Sequence, residues 1–111
     1  MRAIKIDTDN RTVSEIEINC SVKGIRSAIG CQYFTGSGHL DNGDFVYCDD
    51  EFLFNNPQHF VELGHNSDLL AGVVLVTGSD GNGNTTDAKS TVDEIEKDII
   101  WYNLADIRSM G

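Results

Sequence analysis

The chain has 111 residues, 40% of them apolar, and carries 18 acidic against eight basic residues for a formal charge of −10. This length and apolar share predict one domain, residues 1–111, around a modest core, and they exclude wholesale disorder. The acid excess argues against direct nucleic-acid or anionic-membrane binding, because phosphate contacts need Lys and Arg to displace counterions. The excess is also uneven: residues 1–26 hold five Lys or Arg and four acids, whereas nine acids and no Lys or Arg fall between Arg26 and Lys89. Cys20, Cys31 and Cys48 lack close spacing, which argues against a disulfide framework and for a reducing cytoplasm. No apolar run approaches the roughly 20 residues of a membrane span, and "MRAIKIDTD" lacks the apolar run of a signal peptide.

In chain order, "RAIKI" and "TVSEIEI" alternate around the turn-forming "DTDNR" and predict an N-terminal β-hairpin. "SVKGIRSAIG" places Val22, Ile25 and Ile29 on one helical face, with Ser21 as cap and Gly30 as stop. "CQYFTGSGHL" and "DFVYC" flank "DNGD", the strongest two-residue hairpin signal. "FLF" follows as a short apolar run, and "NNPQHFVELG" suggests a brief helix with Pro57 at its first position. "AGVVLVTG" is apolar on both faces and predicts a central strand. The stretch 78–90 is expected to be a flexible Gly/Asn-rich loop. "TVDE" opens a helical segment over 91–108 through a capping box of Thr91 and Glu94. The order predicts an α+β fold with a mixed or mainly antiparallel sheet and helices packed on one face. Ile4, Ile6, Ile16, Ile18, Ile25, Ile29, Val74 and Val76 should form its core.

The loop "GSDGNGNTTD" invites comparison with phosphate-binding loops, but it lacks the Lys and Ser/Thr of a P-loop and carries Asp80 and Asp87 instead. As a calcium loop it supplies Asp80, Asn82 and Asn84 at the first, third and fifth positions. It then fails at Thr85 and Thr91, where Gly and Glu are required. His39, His59, His65 and the three cysteines show no metal-ligand spacing, so neither metal nor cofactor is expected. Ser37 near His39 lacks the nucleophile elbow. The aromatics of the middle third have no interleaved Lys or Arg and read as core rather than a base-stacking platform.

The charge pattern instead suggests a non-enzymatic protein that offers carboxylates to a basic partner. Asp41, Asp44, Asp49, Asp50 and Glu51 cluster around the "DNGD" hairpin, and Glu62 and Asp68 extend the array, which could resemble the charge ladder of DNA. The alternative is a small enzyme or ligand-binding domain with a pocket near His39, His59, His65 or the cysteines. In the C-terminal segment, Val92, Ile95, Ile99 and Tyr102 share one helical face. Ile100, Trp101, Leu104 and Ile107 lie on another and are candidates for a homodimer interface, unless the chain bends near Asn103.

The succession of "MRAIKIDTDNRTVSEIEI", "DNGDFVYCDDE", "NPQHF" and "LAGVVLVTGSDGNGNTTD" resembles a family of small proteins from phages, plasmids and their bacterial hosts that is catalogued only as a domain of unknown function. The resemblance spans nearly the whole chain and brings no catalytic residues with it. It implies an accessory protein of a mobile element that binds host machinery.

Overall fold

The computed structural model describes residues 1–51, 56–64 and 69–110. The expected "FLF" run, His65 and Asp68 lie outside the described residues. Strands β1 (Arg2–Asp7) and β2 (Thr12–Glu17) form the anticipated hairpin, with Ala3 opposite Ile16 and Ile6 opposite Val13. Helix α1 (Val22–Ile29) is capped by Ser21, whose side chain accepts from the Gly24 amide, and it stops at Gly30 in the left-handed region. Strands β3 (Phe34–His39) and β4 (Phe45–Asp49) pair across the "DNGD" turn.

Strand β7 (Val73–Ser79) sits at the centre of a sheet of order β2-β1-β7-β4-β3, antiparallel at every pairing. Its two faces explain the architecture. Val74 and Val76 join Ile4, Ile6, Val46 and Cys48 on one side, while Leu75 meets Ala3, Ile25 and Ile29 of α1 on the other. The architecture is α+β, as expected; because a strand apolar on both sides needs cover on both, α1 and α2 pack on opposite faces. Helix α1 covers one face. The other packs against a second sheet of β6 (Leu69–Leu70), β5 (His59–Leu63) and β9 (Ile99–Asn103), together with Ile95 of α2 (Val92–Asp98). Of the expected core, Ile16 and Ile18 are only half-buried at the sheet edge, and the other six are buried.

Three segments differ from expectation. "NNPQHFVELG" contains β5 rather than a helix, because Phe60, Val61 and Leu63 gain burial against β9 and the large sheet. The 91–108 segment is not one helix: α2 ends at Asp98, β9 crosses the second sheet, and α3 (Leu104–Met110) follows. β-branched Ile99 and Ile100 with aromatic Trp101 and Tyr102 suit a strand better than a helix interior. The 78–90 stretch holds β8 (Thr85–Thr86), paired with Gly78 and Ser79, and then the buried Ala88 and Ser90. Among the described residues, no helix is long and apolar enough to cross a membrane.

Candidate functional site

The β3–β4 turn begins with the Leu40 amide donating to the Asp44 carbonyl at 2.8 Å and the Gly43 amide to the Leu40 carbonyl at 2.9 Å. Asp44 itself is 0% exposed. Its carboxylate accepts from the Lys89 amide at 3.0 Å and, on the other oxygen, from the Ser90 amide at 2.8 Å and the Ser90 hydroxyl at 2.7 Å. The Asn42 side chain donates to Ser90 Oγ at 2.9 Å, and its carbonyl oxygen accepts from the Asp44 amide. A buried carboxylate persists only when hydrogen bonds replace its lost water. Asp44 therefore ties the turn to the chain entering α2, and it is withdrawn from the acidic surface where sequence placed it.

Above this bracket lies a cleft of about 130 Å³, lined by Leu40, Asp41, Asn42, Leu63, Gly64, Ser90, Glu94, Ile95 and Asp98. Leu40, Leu63 and Ile95 give it an apolar floor, whereas Asp41, Glu94 and Asp98 are exposed carboxylates at its rim. Among the described residues, no Lys, Arg, His or Cys lines it. The anticipated Thr91 cap orients Glu94: the Glu94 amide donates to Thr91 Oγ1 at 3.2 Å, and the Thr91 hydroxyl, rather than its backbone amide, donates to Glu94 Oε1 at 3.1 Å. The Gly64 amide donates to the Asp98 carbonyl at 2.9 Å and fixes the far wall. Chemically, such a lining is complementary to a cationic group on an aliphatic stem, with apolar surface for the stem and carboxylates for the charge.

The remaining predicted acids do not converge here. Asp49, Asp50 and Glu51 stand at the opposite end of β4, about 17 Å away for five residues of strand. There Asp49 lines a separate open cavity with Asp9, Gly72 and Val73. Glu62 is half-buried on β5, opposite Leu69 and Ile100 of the second sheet. Glu94, read from the sequence only as a capping residue, and Asp98 were not expected at a site; the cap marked the helix but gave no sign of what its turns would face.

The candidate chemistry around His and Cys is dispersed. His39 is exposed and edge-on to the Phe45 ring, with centroids 4.7 Å apart. His59 has a buried Nδ1 without a hydrogen-bond partner among the described residues. Cys48 is buried in the core, and Cys20 is exposed with Sγ 3.2 Å from the Thr85 carbonyl. Burial, followed by the nearby Asp49 charge, raises the Cys31 thiol above its ordinary value, which disfavours the nucleophilic thiolate. Among the described residues, no three His, Cys, Asp or Glu side chains are grouped to hold a metal ion.

The Gly/Asn-rich loop closes on itself. Asp80 Oδ1 accepts from the Asn82 amide at 2.7 Å and the Asn84 amide at 3.1 Å, while Oδ2 accepts from the Asn84 side chain at 2.8 Å. The amides of Asn82 and Asn84 are thus directed at the loop's own carboxylate.

Of the four interface candidates, Trp101 packs against the main core and Ile100 is 49% exposed, as successive strand residues must be on opposite faces. Leu104 and Ile107 are half-buried on α3. The two-faced helix that suggested a homodimer is thus resolved into separate elements within one chain.

The chain matches no curated protein and no solved structure. Residues 1–100 match the family described as "Domain of unknown function (DUF3846)". A match over that much of the chain means that this protein belongs to the DUF3846 family.

Proposed function

We propose that this protein is a non-enzymatic accessory protein that binds a basic partner protein, inserting one of the partner's Lys or Arg side chains into the cleft between the 40–44 turn and α2. The observation that carries this reading is the combination of an apolar floor with three rim carboxylates and, among the described residues, no basic side chain in the lining. In this reading the gene serves a phage or other mobile element, and the target is a host nucleic-acid-binding or defence protein. A long DNA-like ladder receives less support than a local cleft, since Asp44 is buried and β4 separates Asp41 from Asp49, Asp50 and Glu51.

The test is affinity capture with the wild-type protein and with the triple variant Asp41→Asn/Glu94→Gln/Asp98→Asn, at low and high salt. Gln at position 94 preserves the capping box. A partner held by the cleft is captured by wild type at low salt, is released as exposed charges are screened to about 3 Å at 1 M salt, and is lost by the variant. Equal capture by both proteins would defeat the proposal.

A further inference from the structure

The outer edge of the large sheet has the opposite electrostatic character. Strand β2 ends the strand order and, among the described residues, pairs only with β1. The Ile18 amide donates to the Met1 carbonyl at 2.9 Å, and the Met1 amino group to the Ile18 carbonyl at 2.8 Å. Backbone polar groups alternate sides along a strand. Thr12, Ser14 and Ile16 therefore face β1, while Val13, Glu15 and Glu17 turn N–H and C=O outward. Thr12, Ser14, Glu15 and Glu17 are exposed.

A groove flanks this edge on each face. On the α1 side, an open groove of about 680 Å³ has Ile16, Ile18 and Ala28 in its lining, together with Lys5 and Lys23. On the other side, Arg11, Thr12, Val13, Glu96 and Trp101 line a groove of about 330 Å³. The strand's own carboxylates are engaged, Glu15 by Arg2 and Glu17 by the Met1 amino group. Lys5, Arg11 and Lys23 make no ion pair among the described residues. With Glu96 beside Arg11 in the second groove, the positive charge of this edge lies mainly on the α1 side, at Lys5 and Lys23, in a chain of charge −10. The screening length of about 8 Å at physiological salt lets that local charge decide what docks.

We propose that β2 is the docking edge for an extended acidic segment of a partner protein. The segment adds as a further strand, with acidic side chains over Lys5 and Lys23 and apolar side chains over Val13 and Trp101. The outward N–H and C=O groups of Val13, Glu15 and Glu17 require a peptide backbone as complement, which a nucleic acid does not supply. This inference is independent of the acidic cleft, which lies elsewhere and selects the opposite charge.

The probe is a fluorescein-labelled octapeptide of alternating Asp and Val, measured by anisotropy at physiological salt, with amide exchange read by NMR. The expected result is binding that slows exchange of the Val13, Glu15 and Glu17 amides by about tenfold or more, the pattern of strand addition. Methylating alternate peptide nitrogens, or Lys5→Glu/Lys23→Glu in the protein, should weaken binding by at least about tenfold. The N-methyl arm uses the unaltered protein and remains decisive if the double variant fails to fold. The proposal is overturned by absence of binding, by equal binding of the N-methylated or a Lys–Val peptide, by protection elsewhere, or by tighter binding of a single-stranded oligonucleotide.

Discussion

Asp44 and Asp41 lie three residues apart and do opposite things. Asp44 accepts three hydrogen bonds in the interior, whereas Asp41 stands exposed at the cleft rim. Asp44→Ala should cost on the order of 3 kcal/mol, since it leaves buried donors of Lys89 and Ser90 without an acceptor. Asp41→Ala, at an exposed position, should cost less than Asp44→Ala; chemical denaturation of both variants checks the contrast. Asp44's role was legible in principle, because it shares the strand parity of Val46 and Cys48, both buried. Charge type outweighed periodicity in the reading of that position. Asp80 offers a second check. Hydrogen bonds from the Asn84 side chain and then the Asn82 amide hold its carboxyl below the ordinary 3.8. A depressed pKa means that the loop's stabilisation is present above 3.8 and is lost as pH falls through the lower folded value. The Asn82 and Asn84 amide resonances should accordingly titrate together with a midpoint below 3.8, and a midpoint at or above that value would contradict the bonding described.

At the scale of elements, local signals that fix their own partners were readable: the N-terminal hairpin, the Ser21 and Thr91 caps, the "DNGD" turn and the central β7. What escaped was structure decided by tertiary pairing. β5 and β9 pair with each other across some 40 residues, and neither run carries clean alternation. Pro57 and Gly64 imitate helix boundaries, although they here bracket a strand. The Thr91 cap correctly starts a helix, but nothing local announces its end at Asp98. Trp101→Ala tests β9 directly: loss of its packing against the core should destabilise by about 3 kcal/mol, while a solvent-facing helical position would tolerate the change. The β7–β8 contact has its own test. A Cβ on Gly78 would stand 2.0 Å from the Asp87 carbonyl oxygen, with backbone rather than a movable side chain in the way. Gly78→Ala should lower stability by about 2 kcal/mol, measurable as a fall in Tm.

Across the whole molecule, charge is segregated where the sequence showed only an imbalance. The basic residues of the first 26 positions include Lys5, Arg11 and Lys23 beside the free edge of β2, while Asp41, Glu94 and Asp98 come together from distant positions around one cleft. The sequence disclosed that the protein is acidic and that the hairpin carries acids. It did not disclose the cleft, because Leu63 and Ile95 form its floor only once the second sheet packs under the first. The most direct test of the cleft is an NMR titration with an octapeptide of alternating Lys and Ala, run on wild type and on Asp41→Asn/Glu94→Gln/Asp98→Asn. Binding at the cleft predicts shifts confined to Leu40, Asn42, Gly64, Ser90 and Ile95, abolished in the triple variant. Shifts spread evenly over all acidic surfaces, or centred on Asp49, Asp50 and Glu51 and unchanged in the variant, would contradict it.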